Sequence, residues 1–465
     1  MIPTILVAVF GLLVTFIVTF IVMPYVIKAM KKRNIVGVDV HKVDKPKVAE
    51  MGGVGILLGV TVGSLVLFVL AGIFVTGFFD LRILVFLSVV LIAGFIGIVD
   101  DVKTLGAKFK PILTAAACLP ILLYTWTIIG LGLSPPLLPA YIPNPHMPFL
   151  GRTRLTFVYP WLVPLAIAIP ANSMNMMDVF NGVMPLTSIL MFVALLIVSL
   201  FLMAVGIPGA ELGVLLSAVM IGALIAYYAF NRYPAKVFAG DTGSLAVGAA
   251  LGAVAIMGRV EIMAIVALLP AIMNAFYSLV SIGGLLERRQ MKARPTIFQE
   301  DGTLAASQDA NAPLTLTRLV LARGPMTEQR ITLSLATLTF ASSILAVLTL
   351  LLIPFDTEYL ITWPFTLILV IVPICLILGV YLVLRKTDHL GFRLAGLITI
   401  MVGVWTLGMA GFALLDFLLF YIQSPYWPIA GILYMVGWLA LWHFATRLYF
   451  RYEMGKNKAV NQLVS

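Results

Sequence analysis

The chain has 465 residues, of which 62% are hydrophobic and 11% charged, with a mean hydropathy of +1.09. These values exclude a water-soluble globule, whose charged fraction is about twice as large. The net charge of +10 is not accompanied by any soluble basic segment able to hold nucleic acid, so lipid attraction and membrane topology account for it.

Apolar runs long enough to cross ~30 Å of hydrocarbon recur along the chain, and about thirteen are predicted. They lie near 3–27, 54–78, 82–99, 111–130, 157–173, 184–206, 212–230, 245–257, 262–286, 331–354, 361–384, 394–421 and 428–448. The expected fold class is therefore all-α, a polytopic transmembrane helix bundle. The first run is longer than a signal-peptide core and is followed by Lys28, Lys31, Lys32 and Arg33, so it reads as an anchor helix.

Lys and Arg are retained on the cytoplasmic side of a membrane. With the N-terminus outside and the C-terminus cytoplasmic, the cytoplasmic loops are 28–50, 100–110, 231–236, 287–330, 385–393 and 447–465. They hold all of the 30 Lys and Arg except Arg82, Arg152, Arg154 and Arg259. Two loops are long enough to carry structure, the proline-rich 131–156 outside and 287–330 inside. The second contains Arg288, Arg289, Lys292 and Arg294, a cluster that suits a phosphate-bearing ligand or lipid head groups. Its Asp301-Gly302 pair signals a turn or hairpin within 295–303, making this loop a candidate lid.

Four polar clusters interrupt the apolar pattern at run ends, where groups so close to hydrocarbon cost several kcal/mol unless they serve a site. Asp100 and Asp101 close the third run; adjacent helical residues point about 100° apart, so one can face a ligand while the other braces a neighbour. Asn172 and Asn175 share a helical face that Asp178 and Asn181 are expected to continue, and amide and carboxylate oxygens are hard ligands suited to Mg²⁺ or Mn²⁺. Phe238-Ala-Gly-Asp241-Thr-Gly-Ser244 precedes a helix expected near 245, its glycines letting backbone approach a ligand. The orientation assigned from basic residues alone places all four on the cytoplasmic face. A cation- or proton-coupled transporter would gather such acids near the midplane instead. Cys118 and Cys375 lie in apolar runs, and the four histidines lack metal-ligand spacing.

Several stretches occur in a telling order: Gly37-Val-Asp-Val-His-Lys42, Gly97-Ile-Val-Asp-Asp101 with Lys110, Asn172-Ser-Met-Asn175 with Asn181-Gly182, Asn231 to Asp241, Asn274-Ala-Phe-Tyr-Ser-Leu279 and Gly324-Pro-Met-Thr-Glu328. Through them the chain resembles the polyprenyl-phosphate N-acetylhexosamine-1-phosphate transferases, in particular the archaeal and eukaryotic UDP-GlcNAc:dolichyl-phosphate branch. The resemblance covers roughly residues 1–354, expected to be the transferase domain, and leaves 355–465 as additional helices without an assigned role.

The resemblance implies transfer of GlcNAc-1-phosphate from UDP-GlcNAc to a polyprenyl (dolichyl) phosphate with release of UMP. The setting it implies is the plasma membrane of a prokaryote of archaeal type, with the active site cytoplasmic and a homodimer as the expected assembly. It makes Asn175 and Asp241 the Mg²⁺ (or Mn²⁺) ligands and Asp100, Asp101, Lys110 and Asp178 the catalytic groups. Lys110 with Arg294 would neutralise phosphates, and Phe238 and Asn181 would take the uracil. Lys42, Asn172, Arg288, Arg289 and Lys292 complete the expected substrate contacts. Two positions depart from the pattern. His41 replaces the family's usual Asn, and Asp178 resembles the bacterial branch. The bacterial histidine-rich motif is absent, which argues against the enzyme that transfers phospho-MurNAc-pentapeptide.

Overall fold

The computed structural model describes residues 1–76, 79–130, 146–147, 151–152, 155–284, 293–350 and isolated positions between 437 and 455. The chain divides into two compact units, 1–140 with 159–350, and 141–158 with 351–465. In the second unit a short antiparallel pair, β3 and β4, joins His146–Met147 to Gly151–Arg152. The last three predicted runs lie outside the described residues apart from isolated helical positions.

The first unit is a helical bundle. Its long helices are α1 Ile2–Lys32, α2 Gly53–Ala71, α3 Leu81–Val102, α6 Leu155–Met177, α7 Val183–Ala204, α8 Ala210–Asn231, α9 Gly240–Met257 and α13 Glu328–Leu350. Shorter helices are α4 Phe109–Ala116, α5 Leu119–Gly130, α10 Glu261–Ala267, α11 Leu269–Ile282 and α12 Leu316–Val320. Among the described residues eight helical segments are long and apolar enough to span a bilayer, one of them α4 and α5 taken together (Phe109–Ile128), or nine if the bent pair α10–α11 counts as one span; α6 contributes a shorter apolar helix, Leu162–Met177. The chain is thus a polytopic helical membrane protein, and each of the first ten predicted runs coincides with helix.

Three boundaries differ from the prediction. The fourth run breaks at Ala117–Cys118 into α4 and α5. The ninth bends by 63° between α10 and α11, where Pro270 removes a backbone donor and its ring disfavours continuous helix. α9 begins at Gly240 rather than near 245, so Asp241 stands in its first turn instead of in a preceding loop.

Packing places α8 and α9 at the centre: 83% and 89% of their apolar spans are buried, against 28% for α1. Without a hydrophobic driving force inside lipid, close backbone approach through small residues supplies the contact. A Cβ on Gly97 of α3 would lie 2.4 Å from the Asp241 carbonyl oxygen, and one on Gly53 of α2 would lie 2.1 Å from the Gly243 nitrogen. The ends of α2, α3 and α9 therefore meet at van der Waals distance of their main chains.

Two hairpins decorate that end of the bundle. β1 Val36–Val38 pairs antiparallel with β2 Lys47–Ala49, and Ala49 also bridges Val237 just before α9. β5 Thr296–Phe298 pairs with β6 Leu304–Ala306, the predicted hairpin, turning through Asp301 and Gly302 (φ +79°), and Leu304 bridges Met326. Inside this segment the buried Arg318 guanidinium donates to the carbonyls of Ser307, Asp309 and Ala312, gathering the chain around itself.

The α3–α9 contact yields a contrast between two substitutions on one helix. Gly97→Ala drives a methyl into backbone and should destabilise the detergent-solubilised protein by about 1–3 kcal/mol. Gly94→Ala meets only the flexible tip of Leu57 and should cost less. Thermal melts of the two variants measure this, and equal losses would show that α9 can retreat freely from α3.

Candidate functional site

Asp100 and Asp101 occupy the last turn of α3, where the helix leaves the apolar layer, and their side chains diverge as adjacent helical positions must. Asp100 turns towards α4: its Oδ2 lies 2.6 Å from Lys110 Nζ and its Oδ1 accepts the Leu105 N–H at 2.6 Å. Asp101 turns towards α9, accepting the N–H groups of Asp241 (2.7 Å) and Thr242 (3.0 Å) and the Thr242 hydroxyl (2.6 Å). No side chain of α9's own N-cap residue, Ala239, serves this end. Asp101 supplies that cap from another helix, placing a carboxylate on orphan donors at the positive end of the dipole.

Lys110 is the hub. Its ammonium, reaching from the first turn of α4, also hydrogen-bonds Asp241 and lies 3.2 Å from Asn175 Oδ1. Asn175 Nδ2 in turn donates to Asp241 and to Ser244 Oγ at 2.8 Å. Two carboxylates and one amide oxygen thus converge on a single cation at the ends of α3, α6 and α9. The donor set consists of hard oxygens and fits a divalent ion such as Mg²⁺.

Asp178 follows directly after α6, in the turn that leads to Gly182 (φ +80°) at the head of α7. Burial, then the neighbouring charges of Asp241 and Asp101, push its carboxyl up to about 7. Glu50, between β2 and α2, is also raised, first by burial and then by Asp101. Nothing in the sequence marked Glu50, because its proximity to Asp101 arises from the hairpin folding back on the bundle.

Other predicted residues are placed elsewhere. Asn172 and Asn175 do share a face, but α6 ends at Met177, so the expected continuation through Asp178 and Asn181 is broken. Asn172 lies nearly one turn deeper than Asn175 and donates to Thr114 Oγ1 at 2.7 Å and the Ala168 carbonyl at 2.8 Å, not to the acidic cluster. Asn181 and Lys42 belong to a second, buried network. Lys42 Nζ pairs with Glu328 at 2.6 Å and Asp39 at 3.3 Å and rests 3.6 Å over the Tyr233 ring. Asn181 donates its N–H to Glu328 (2.8 Å) and its amide to Asp39 (3.0 Å).

Lys42, Asn181, Asp39 and Glu328 are 9%, 5%, 4% and 4% exposed, which makes them a strut rather than a ligand surface. The strut ties the stretch after β1 and the start of α13 to the turn bearing Asp178, and the His41 ring packs on Phe180 at 4.8 Å alongside it. In the sequence Asp39 and Glu328 appear only within the ordered stretches Gly37–Lys42 and Gly324–Glu328, with no role attached to either. Phe238 is held by its backbone, its N–H on Ala49 and its carbonyl receiving the Gly52 N–H, each at 2.8 Å. Arg294 stands exposed two residues before β5, and Arg288, Arg289 and Lys292 lie outside the described residues.

The family model described as glycosyl transferase family 4 matches residues 83–259, a span that includes Asp100, Asp101, Lys110, Asn175, Asp178 and Asp241. A protein of Saccharolobus solfataricus provisionally named UDP-N-acetylglucosamine–dolichyl-phosphate N-acetylglucosaminephosphotransferase is 32% identical over 251 residues, 53% of this chain and 70% of that relative. A provisionally named glycosyltransferase of Methanocaldococcus jannaschii is 32% identical over 317 residues, 67% of this chain and 88% of the relative. A phospho-N-acetylmuramoyl-pentapeptide-transferase of Streptococcus uberis is 33% identical over 262 residues, 54% and 72% of the two chains. These relatives and the apolar helices identify a membrane-embedded transferase. The chain belongs to glycosyl transferase family 4.

Two expectations follow from the geometry. Lys42→Met leaves Asp39 and Glu328 buried together without their cation, and should cost about 3–5 kcal/mol of stability, read as an earlier melt. A variant that melts normally yet binds nucleotide poorly would instead return Lys42 to the substrate. The second concerns pH in the absence of divalent ions. Asp178 titrates higher folded than unfolded, so its contribution is fully present below about pH 4 and is lost as pH rises towards about 7. Melts in chelator between pH 5 and 8 should therefore decline, less steeply in Asp178→Asn; identical slopes would remove Asp178 from the cluster's electrostatics.

Proposed function

We propose that this protein transfers GlcNAc-1-phosphate from UDP-GlcNAc to a polyprenyl (dolichyl) phosphate, releasing UMP, at the cytoplasmic face of a prokaryotic plasma membrane. In this reading residues 1–354 are the catalytic unit and 355–465 accessory helices. The observation that carries it is the Lys110 ammonium held among Asp100, Asp241 and Asn175 at the helix ends. A lipid phosphate arriving along the bilayer and a nucleotide arriving from water can meet only at such a level, and two phosphates of like charge need fixed cations to do so. The names of the archaeal relatives support the choice of substrates.

A phosphate oxygen of the lipid attacks the β-phosphorus of UDP-GlcNAc, the bond from that phosphorus to the bridging oxygen breaks, and the electron pair leaves with UMP. Lys110 offsets the charge of the reacting phosphates, with Arg294 approaching from the β5–β6 segment. Asp100 aims Lys110, and Asp101 fixes the start of α9 and thereby Asp241. Asn175 and Asp241 would hold Mg²⁺ or Mn²⁺, which when bound supplies further neutralisation of the diphosphate. Asp178, with its carboxyl pushed up to about 7, suits accepting the remaining proton of the lipid phosphate, whose second pKa is about 6 in phosphate monoesters. The Phe238 ring is available to stack on the uracil. Acids gathered at helix ends rather than in mid-bundle disfavour the transport alternative.

UMP release in detergent from UDP-GlcNAc, polyprenyl phosphate and Mg²⁺ tests the reading directly; a well-folded protein releasing none under these conditions would overturn it. Asp241→Asn should lower turnover by about a hundredfold or more while the protein still inserts and melts normally. Near-normal activity with an unchanged Mg²⁺ requirement would sink the ligand assignment.

Asp100→Asn and Asp101→Asn should part company. The first loses the Lys110 ion pair and drops kcat by orders of magnitude. The second keeps an oxygen on the α9 donors but weakens a charge-assisted cap, lowering stability by about 1 kcal/mol and raising the Mg²⁺ concentration needed. Equal small effects would reduce both to helix-end residues.

A further inference from the structure

Tyr227 lies on α8 four residues before Asn231, so the two share one face of the helix. Asn231 accepts the Gly182 N–H at 3.0 Å and donates to the Val237 carbonyl at 2.9 Å. That face of α8 therefore supports both the turn bearing Asp178 and the segment leading into α9, and Tyr227 sits one turn deeper beneath them. Gly52 closes the ring's edge, since a Cβ there would lie 2.9 Å from Tyr227 Cε2. The side chain is 0% exposed, and among the described residues its hydroxyl has no hydrogen-bond partner. The Asp178 carboxylate is near enough to act on it electrostatically.

A buried phenol with an unsatisfied hydroxyl is less favourable than phenylalanine in the same space, so folding alone gives no reason for the oxygen. We propose that Tyr227 is a positioning residue for Asp178: with substrate in the site its hydroxyl donates to the Asp178 carboxylate and fixes the direction in which that carboxylate faces the reacting phosphates. The proposal rests on the transferase reading above, in which Asp178 accepts a proton. The 178–182 turn follows the end of α6 and is anchored on its far side by Asn181 and Gly182.

The test uses the full chain in detergent with UDP-GlcNAc, polyprenyl phosphate and Mg²⁺, comparing wild type, Tyr227→Phe, Asp178→Asn and the double variant. Tyr227→Phe should melt no earlier than wild type without ligand, and should lower kcat about ten- to a hundredfold while raising the KM for UDP-GlcNAc about two- to fivefold, since the hydrogen bond it loses forms only in the loaded site. In the Asp178→Asn background the same change should have no further effect. Wild-type kcat in Tyr227→Phe, or effects that multiply independently in the double variant, would overturn the assignment.

A second readout needs no turnover. The rise in melting temperature on adding Mg²⁺ with UDP should shrink in Tyr227→Phe but not when Asp178 is already Asn. Coupling in the melts without UMP release from wild type would overturn the transferase reading and leave the Tyr227–Asp178 contact standing. Normal release without coupling by either measure would do the reverse.

Discussion

The backbone-level contact between α3 and α9 is the constraint on which the site depends. Because position 97 carries no side chain, α3 passes against the carbonyl of Asp241, and four residues later Asp101 reaches the free N–H groups at the head of α9. A helix start that lacks its own cap is completed by a carboxylate from a neighbour, and that single exchange fixes the distance between the Asp100–Asp101 pair and Asp241. Any residue larger than glycine would separate the two acids and, with them, the oxygens that converge on Lys110. Packing in lipid and charge placement are here the same contact.

Two ionic clusters then divide the labour. In the first, acids and an amide surround Lys110 at the membrane level and leave hard oxygens facing a position where a cation is favourable. In the second, Lys42 is enclosed by Asp39 and Glu328 and is fully committed to them. A buried ion pair of this kind contributes little net stability against an apolar replacement, but it fixes geometry, since each member is costly to leave alone. What it fixes is the turn from Asp178 to Gly182, gripped from one side by Glu328 and Asp39 and from the other by Asn231. Asp178 is thus carried on a short segment whose two neighbours in chain order belong to different structures, a metal-type cluster and a strut.

Much of the fold was legible because hydrophobic runs in a bilayer obey a length rule. The first ten runs coincide with helices, and the turn predicted at Asp301-Gly302 forms because an Asp side chain and a glycine with positive φ meet its backbone demands. The breaks were harder to read. The interruption at Ala117–Cys118 and the bend before α11 are marked only by Pro120 and Pro270, each the second residue of the helix that follows and each hidden inside a continuous apolar stretch. The start of α9 was misplaced by several residues because the helix opens on Gly240, in the left-handed region at φ +69°, and its first N–H groups, those of Asp241 and Thr242, are capped by Asp101 from another part of the chain.

The sequence by itself determined the membrane class, the gathering of polar clusters at run ends and the chemical character of the site, since Asp100, Asp101, Asn175, Asp178 and Asp241 were each visible as costly groups beside hydrocarbon, whereas Lys110 was singled out only through the family resemblance. Only the tertiary structure decided how they divide. Spacing along a helix assigned Asn181 to the face of Asn175, but α6 ends first, and beyond a helix terminus periodicity carries no information. Lys42 and Asn181 had the residue types of substrate contacts and proved to be enclosed, because burial depends on what packs from elsewhere in the chain. Tyr227 looked like one more aromatic of an apolar helix; its orphan hydroxyl acquires meaning only from the turn that folding lays above it.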